Sequence, residues 1–476
     1  MRRAGRVAAA ALAAAAAWGA LPAPAAAQEG VREPVQAAPE AGPLPLSLEG
    51  AVARAVERNE EVLIALAEEA RTEGLIREIG AGAWPQLSAG GVYTRNIERP
   101  VFFFNSPEGL QRIEIGSDNE IDLSATLRQT LYDPELGPAV RAARLAREAA
   151  AAGTERVRTL VALEARLRYF DALFARELVR VREQAVAQAE ARVAQVRSFR
   201  DAGTVAEFDL LTAEVEAENL RPPLIEARND LELALNRLKR VVGVPLARPV
   251  ALTDGFPAVS APGEPTGRAG PTETGAPPGE PLRDPTLEAA VEAALAGRSD
   301  VATQRLVVGL QEQQLTAERR SVYPVVDLTA NYLRRASTDD FPEESDFVDS
   351  LTAGVAFDVD LFDGGERAGR VAQAEAALER ERQRLSQLSE GVRLEVEQAF
   401  LTVRSARQWV EASRGTVARA ERALEIAQLR FRNGLSTQLE LDDAELAVTE
   451  ARTNLARSLH AYATAQAELQ AATGER

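Results

Sequence analysis

The chain of 476 residues contains no cysteine, one histidine and one methionine. Without cysteine it has no disulfide bonds, no thiolate metal ligands and no lipid-bearing cysteine of the kind that anchors many envelope proteins. Aromatic residues make up 5% of the chain and the formal net charge is −17, which argues against nucleic-acid binding. The single histidine, His460, has no partner cluster in the sequence and is predicted to be a surface or packing residue. No catalytic arrangement is visible, so we expect a protein that is not an enzyme and holds no metal or cofactor.

Long apolar runs are also scarce, and the clearest lies at the N-terminus. Residues 1–27 begin with three arginines, continue through an alanine-rich apolar segment and reach the small residues Ala25–Ala27. This is the pattern of a cleaved signal peptide, and its apolar part is shorter than the ~20 residues of a membrane-spanning helix. We therefore expect an exported chain that is not a helical inner-membrane protein. Residues 28–45, rich in proline, alanine and glutamate, are predicted to be a disordered lead-in.

The chain contains one pattern twice, with matching positions about 230 to 239 residues apart. The first repeat is predicted to span residues 46–253 and the second 286–476, with a Pro/Gly-rich linker at 254–285. A duplicated unit constrains the architecture before any chemistry is considered. The matching sequences are Leu48-Glu49 with Leu287-Glu288, Trp84-Pro85 with Tyr323-Pro324, Leu131-Tyr132-Asp133 with Leu361-Phe362-Asp363, and Phe199-Arg200 with Phe431-Arg432.

Two segments of each repeat alternate apolar and polar residues over about ten positions, which predicts four strands per chain. Strands of ~9–11 residues with one apolar and one polar face are typical of outer-membrane barrels, although a half-buried sheet in a soluble protein shows the same alternation. The connecting segments, 96–120 and 334–349, are predicted to be polar or irregular. The clearest apolar sets are Ile121, Leu123, Ala125 and Leu127; Val326, Leu328, Ala330 and Tyr332; and Leu351, Ala353, Val355, Phe357, Val359 and Leu361.

Each repeat also contains a helix-compatible stretch of about 65 residues, at 134–202 and 365–432. Each corresponds to ~100 Å of helix. Both stretches end at a glycine turn, and Thr204-x-x-Glu207 and Thr437-x-x-Glu440 predict capping boxes that open return helices. The second stretch has large and small residues at heptad spacing, which predicts tight coiled-coil packing. Its seam consists of Val403, Val410, Val417, Leu424 and Phe431, with Ala406, Ser413, Ala420 and Ala427 three positions later.

Four strands cannot close a barrel, and an open sheet edge in lipid leaves backbone groups unpaired at several kcal/mol each. If the strands lie in a membrane, several chains must contribute them together. We therefore predict an α+β membrane protein in which three chains form a 12-stranded barrel from four transmembrane strands each. The long helical hairpins would form a second hollow cylinder at one end of this barrel.

The chain resembles the TolC-like outer-membrane efflux proteins, the exit ducts of tripartite efflux and type I secretion systems. The resemblance runs from about Leu48 to the C-terminus and includes the duplication, the strand and helix order, and the paired turns that begin at Phe199 and Phe431. It implies a homotrimer in the lipid of the bacterial outer membrane, with a helical α-barrel in the periplasm. It also implies two protein partners, a periplasmic adaptor and an inner-membrane pump.

The resemblance assigns two groups of site residues. It implies that the helix tips bind the adaptor; simple reversal of the helices is the alternative, which the glycine and the caps already explain. Leu435 favours binding, because an exposed leucine at a hairpin apex has no folding reason to be there. The resemblance also implies a pore constriction at Glu440 and Asp443, which lie one turn apart on one helix face; a solvated charged face is the alternative. The tip set is Ala202, Gly203, Thr204, Asn433, Gly434, Leu435 and Ser436, and the constriction set is Asp209, Phe431, Glu440 and Asp443.

Phe431 and Ser436 depart from the family pattern. They stand where some members carry a gate tyrosine and a gate arginine, and neither side chain can form the corresponding hydrogen bond or salt bridge. A closed state of this protein must therefore use other contacts.

The favoured function is a passive conduit for small-molecule efflux. Type I protein secretion and heavy-metal efflux use the same fold, although one methionine and one histidine speak against metals. A periplasmic coiled-coil adaptor would have one hairpin, and a soluble coiled coil would leave the strands unexplained. The acidic loop residues could bind divalent cations, but solvated charge is the better interpretation; they are Asp339, Asp340, Glu343, Glu344 and Asp346.

Overall fold

The computed structural model describes residues 42–107, 109–257, 259, 287–433 and 435–475. The described residues from Pro45 onward form one unit. The predicted signal peptide, the lead-in up to residue 41, the linker beyond residue 259 and the turn residue Gly434 lie outside the described residues.

Both repeats run through a helix pair, a pair of long strands, a very long helix and a helical return. The short strand β1 (Leu44–Leu46) precedes the first repeat, and β6 (Val250–Leu252) follows its last helix. The first repeat contains α1 (Leu48–Arg58), α2 (Glu60–Ala81), β2 (Gln86–Arg95), β3 (Val101–Ser106), β4 (Gly109–Glu114), β5 (Asn119–Tyr132), α3 (Leu136–Asp201), α4 (Glu207–Asn219) and α5 (Arg221–Val242). The second contains α6 (Leu287–Gly297), α7 (Ser299–Arg320), β7 (Val325–Thr338), β8 (Val348–Asp358), α8 (Glu366–Arg432) and α9 (Gln438–Thr473).

Two of the predicted boundaries differ from the structure. β1 begins at Leu44, inside the predicted lead-in, and the carbonyl of Leu46 accepts hydrogen bonds from Thr253 N at 3.1 Å and Tyr169 Oη at 3.0 Å. The start of the predicted linker is also bound to the helices. Asp254 accepts from Leu48 N at 2.6 Å, and Val259 packs against the α8–α9 core. Backbone pairing and one buried tyrosine order these two segments despite their polar composition.

The four predicted strands form one antiparallel sheet in the order β2-β5-β7-β8. Its register places Ser88, Thr126, Asn331 and Thr352 side by side, and Thr126 Oγ1 donates to Asn331 Oδ1 at 3.0 Å. The next row along the strands consists of Leu87, Leu127, Ala330 and Ala353, and its side chains lie on the other face. The sheet therefore has one polar and one apolar face, as the alternation predicts.

The apolar face of this sheet is uncovered in a single chain. Leu87, Leu351, Val355 and Phe357 on this face are 61–65% exposed. A half-buried sheet of a soluble protein would place a helix or a second sheet there.

An additional β-hairpin lies between β2 and β5. β3 pairs with β4 in antiparallel register, with Phe102 opposite Ile113. The sequence prediction for residues 96–120, a polar or irregular connection, was wrong at this point. Phe102-Phe103-Phe104 is a continuous apolar run without alternation, so the period-two criterion did not identify the strand.

The very long helices are confirmed, with 66 residues in α3 and 67 in α8. The repeated Leu-Tyr/Phe-Asp sequence turns the chain from strand into helix at the start of both. Asp133 accepts from Glu135 N at 2.8 Å, and Asp363 accepts from Gly365 N and Arg367 N, both at 2.9 Å. None of the helices within the described ranges is long and apolar enough to cross a lipid bilayer.

The heptad seam of α8 packs against the return helix α9, as predicted. Ala406 and Val410 are buried with Tyr462, and Leu424 is buried with Leu441 and Val448. In the first repeat the return is broken: α4 ends at Asn219 and α5 begins at Arg221. Pro222 and Pro223 follow immediately and lack the backbone N–H that a continuous helix requires. The first return segment, expected from the sequence at about 206–240, is therefore made of two helices and not one.

Candidate functional site at the helix tips

The first tip turn is formed by Gly203 in the left-handed conformation, with φ of +77°. Gly203 N donates to Arg200 O at 2.8 Å and Thr204 N donates to Phe199 O at 2.9 Å, which satisfies the last carbonyls of α3. The hydroxyl of Thr204 donates to the same Phe199 carbonyl at 2.8 Å. Thr204 therefore closes α3 and does not cap α4, so the predicted capping box at Thr204 was wrong.

The cap of α4 comes from Asp209 instead. Its carboxylate accepts a hydrogen bond, at 3.0 Å, from the backbone N–H of Ala206, the residue that precedes the helix. A carboxylate in the first turn also interacts favourably with the helix dipole. These contacts explain Asp209 structurally, and its part in a constriction stays a prediction.

The second tip turn is held by Arg430 and Asn433. Leu435 N donates to Arg430 O at 2.8 Å, and the Arg430 guanidinium donates to Leu435 O at 3.2 Å. The amide of Asn433 donates to Leu429 O at 2.7 Å. Thr437 Oγ1 accepts from Glu440 N at 3.3 Å, so this predicted cap is present. Leu435 remains 68% exposed.

The two tips lie side by side within one chain. The rings of Phe199 and Phe431, each at the end of a long helix, have centroids 6.5 Å apart. Phe431 also packs against the buried cluster of Leu424, Leu441 and Val448. Phe431 thus stabilises the junction of the two hairpins, and its predicted contribution to a pore constriction is not tested by these contacts.

Glu440 and Asp443 are both exposed on α9. Glu440 Oε2 lies 3.7 Å from Arg430 Nη2, and both side chains are about half exposed. A surface pair of this kind contributes little stability, about 0–1 kcal/mol. Both carboxylates are therefore available to solvent or to a neighbouring copy.

The tips also expose large apolar side chains that the sequence reasoning did not single out. Phe208 is 74% exposed on α4 and Leu439 is 68% exposed on α9, next to Leu435. Leu211 and Val215 continue the exposed stripe along α4 at 54% and 59%. An apolar surface of this size at a hairpin apex indicates an interaction site.

A buried charged cluster, which the sequence analysis missed, lies behind the tips. Arg192 of α3 is 6% exposed, and its guanidinium contacts Glu216 of α4 at 3.2 Å. It also forms ion pairs with Asp442 and, at 3.5 Å, with Glu445, both on α9. Burial raises the pKa of Glu445 above its ordinary value; the Arg192 charge opposes this rise and the Glu216 charge adds to it. Arg192 belongs to a buried stripe of α3 at heptad spacing, together with Ala185, Ala189 and Val196. A charged residue within an apolar stripe is the sequence signal that could have revealed the cluster.

The acidic residues of the outer loop are partly neutralised by arginines. Arg99 pairs with Asp118 and Asp339, and Arg334 pairs with Glu344. Within the ranges that the structure describes, no group of three or more potential metal-binding side chains occurs. Arginine pairing accounts for Asp339 and Glu344, and solvated charge stays a prediction for the other acidic residues of the loop.

The sheet, the duplicated helical hairpins and the exposed tips define the architecture of an outer-membrane exit duct. The family model for the outer membrane efflux protein matches residues 51–244 and 290–475, that is, both repeats. The chain belongs to this family.

Individual relatives agree with this assignment. The chain is 24% identical over 308 residues to the outer membrane efflux protein BepC of Brucella suis, an alignment that covers 64% of the chain and 61% of BepC. It is 32% identical over 136 residues to the outer membrane protein TolC of Vibrio cholerae, covering 28% of the chain and 29% of TolC. The outer membrane channel CmeC of Campylobacter jejuni superposes with a TM-score of 0.70 at 16% identity, covering 90% of the chain and 85% of CmeC. The fold predicted from the sequence is therefore confirmed.

Proposed function

We propose that this protein is a passive trimeric conduit that carries small molecules through the outer membrane and the periplasm. The main support is the four-stranded sheet, which has an uncovered apolar face, a polar face and two open edges. Each of these three properties is costly for an isolated chain in water or in lipid. All three are relieved together when copies of the sheet close into a cylinder.

The height of the sheet fits the outer membrane. The ten residues of β2 extend ~34 Å along the strand, which at a tilt of about 40° gives a band of about 25 Å. The polar row of Ser88, Thr126, Asn331 and Thr352 would face a water-filled lumen. The row of Leu87, Leu127, Ala330 and Ala353 would face lipid.

Four exposed aromatic side chains support this placement. They lie at the ends of β2, β5, β7 and β8 that meet the helices, where the register brings the four strand ends together. Tyrosine and tryptophan favour the boundary between lipid and water, and barrels carry girdles of them. The set is Trp84 at 68%, Tyr132 at 50%, Tyr323 at 56% and Phe362 at 91% exposure.

The two open edges, β2 and β8, require a partner in lipid. Three copies would pair the β2 edge of one chain with the β8 edge of the next and give a 12-stranded barrel. The same symmetry would arrange the hairpins of α3 and α8 around a continuous passage about 100 Å long. The chain would then need no energy source of its own, and an inner-membrane pump would supply the energy.

The exposed tips would bind the helical hairpin of a periplasmic adaptor. The proposed surface comprises the turn residues named above together with Phe208 and Leu439, and its apolar character suits an apolar helical partner. Three copies of Glu440 and Asp443 would place six carboxylates around the opening and favour cations there. Asp209 and Phe431 would support this constriction from the neighbouring turns.

Substitution of Leu435 tests the tip assignment. Leu435→Glu places a charge on the proposed docking surface and should abolish efflux, measured as drug sensitivity in a strain that depends on this protein. The trimer should persist, because the side chain is 68% exposed. Leu246→Glu is the matched control, since Leu246 is 62% exposed in the loop after α5 and distant in sequence from both turns. Normal resistance with Leu435→Glu, at normal protein level, would reject the assignment.

A further inference from the structure

The Arg192 cluster, defined as Arg192, Glu216, Asp442 and Glu445, connects three helices that belong to both repeats. Arg192 lies on α3 and Glu216 on α4, within the hairpin of the first repeat. Asp442 and Glu445 lie on α9, in the hairpin of the second repeat. Arg192 is therefore a direct electrostatic connection between the two hairpins near the end where they must separate if the passage opens.

The cluster is buried and unbalanced in charge. The exposed fractions are 6% for Arg192, 15% for Glu445, 22% for Asp442 and 35% for Glu216. One guanidinium faces three carboxylates, so two negative charges are uncompensated when all groups are ionised. Among the described residues, four buried atoms of the cluster have no hydrogen-bond partner: Arg192 Nε and Nη1, Glu216 Oε2 and Asp442 Oδ1. The contacts are therefore charge–charge contacts, and the network is incompletely satisfied. A buried network of this kind is sensitive to the loss or gain of a single charge.

We propose that Arg192 is the positioning residue that holds α9 against the first hairpin in the closed state, and that the carboxylate surplus makes this hold responsive to protons. The proposal rests on the proposed conduit function. The described groups that face Glu445 are Arg192 from α3 and Glu216 from α4, with Asp442 on its own helix bound to the same guanidinium. Some family members carry a gate tyrosine and a gate arginine where this chain has Phe431 and Ser436. The Arg192 connection uses neither of these two positions.

The direction of the proton response follows from the raised pKa of Glu445. If α9 separates from α3, Glu445 regains water and its ordinary pKa. The docked state therefore binds the proton more tightly, so docking is favoured at low pH. This advantage is lost as the pH rises through the raised value, where ionised Glu445 repels Glu216 and Asp442. Acid should hold the hairpins together, and pH above the raised pKa of Glu445 should loosen them.

The experiment compares Arg192→Gln, Glu445→Gln and the control Arg197→Gln in the purified full-length protein. Arg197 lies on the same helix and pairs with Glu214 at 2.8 Å, but its side chain is 54% exposed and the pair does not reach α9. Two quantities are measured: amide hydrogen exchange of residues 438–448, corrected for intrinsic rates, and conductance in planar bilayers between about pH 5 and pH 8.

Arg192→Gln should accelerate exchange in 438–448 by about tenfold or more and raise conductance, because three partly buried carboxylates lose their counter-charge. Glu445→Gln should slow exchange and weaken the pH dependence of the conductance. Arg197→Gln should match the unmodified protein.

The inference is overturned if Arg192→Gln exchanges like Arg197→Gln, or if Glu445→Gln keeps the original pH response. Should Arg192→Gln fail to assemble, Glu445→Gln decides the question by itself, since it leaves the arginine paired. Absence of conductance at every pH, both in the unmodified protein and in Arg192→Gln, would reject the conduit, whereas the exchange comparison would still judge the role of Arg192.

Discussion

His460 Nε2 lies 2.9 Å from Oδ1 of Asp171, a residue 289 positions earlier in the chain. The imidazole also packs against Phe174, with ring centroids 5.3 Å apart. The sequence indicated a surface or packing histidine without a partner cluster, and the structure shows a partly buried histidine with this carboxylate as its partner. The contact joins α3 to α9 and thereby ties the first repeat to the second, far from the tips.

This contact predicts a pH-dependent contribution to stability. The hydrogen bond from His460 lowers the pKa of Asp171, partial burial opposes the shift, and Arg168 adds to the lowering. A depressed carboxyl pKa contributes stability above the ordinary value, and the contribution is lost as the pH falls through the lowered value. His460→Ala should cost about 1 kcal/mol at pH 7, the size of an ordinary hydrogen bond, because both side chains are partly exposed and solvent weakens the charged contact.

The measurement is the unfolding free energy of both proteins from pH 7 downward. The difference between them should shrink as Asp171 becomes protonated. Glu177→Gln is the control, because Glu177 pairs with Arg180 at 2.6 Å on the same helix and that arginine is 64% exposed. Its effect should stay within about 0.5 kcal/mol. A His460→Ala deficit that is constant with pH would contradict the account.

The tip turn provides a second prediction through its backbone. Gly203 has φ of +77° with open space around it, so Gly203→Ala should destabilise through backbone strain alone, by about 1 kcal/mol. Gly153, in the middle of α3, also has open space but helical geometry. Gly153→Ala should therefore stabilise by roughly 0.5–1 kcal/mol. Thermal unfolding in detergent checks both, and a Gly203→Ala protein as stable as the unmodified one, or more stable, would show that the turn is not strained.

The predicted constriction makes a third, electrical prediction. Asp443→Asn and Glu440→Gln should each reduce cation preference, seen as a reversal potential closer to zero in a salt gradient. The effect of Asp443 should be the larger, because Arg430 partly neutralises Glu440 at 3.7 Å. Glu450→Gln, at another exposed position on α9, should leave selectivity unchanged. Unaltered selectivity with both constriction substitutions would place these carboxylates outside the pore.

Periodicity predicted the repetitive parts of this fold well. The alternation around Leu123 and Val355 defined the two faces of the sheet, and the heptads through Val410 and Leu424 defined the seam with α9. These patterns repeat over many residues, so single exceptions do not obscure them. The family resemblance supplied the assembly, which one chain cannot display.

The local features were predicted less well, for reasons of chemistry at individual residues. Thr204 could cap α4 by its spacing, but the Gly203 turn directs its hydroxyl to α3. Arg192 occupies a buried heptad position where an apolar residue is expected. The carboxylates that pair with it lie on α4 and α9, and the sequence does not show that these helices come together at this point. A charged residue inside an apolar stripe is the sequence signal for such a cluster.

The central claim is that identical chains complete the barrel through the open edges β2 and β8. The chain has no cysteine, so introduced cysteines report on this contact alone. Each test protein carries two: one on β2, between Leu87 and Gly91, and one on β8, between Leu351 and Val355. Within one chain the two edge strands are three strand spacings apart, or about 14 Å, too far for a disulfide. Oxidation of the protein in outer membranes should give a covalent ladder that ends at three chains. Only monomers, or a ladder that continues past three, would contradict the proposed barrel.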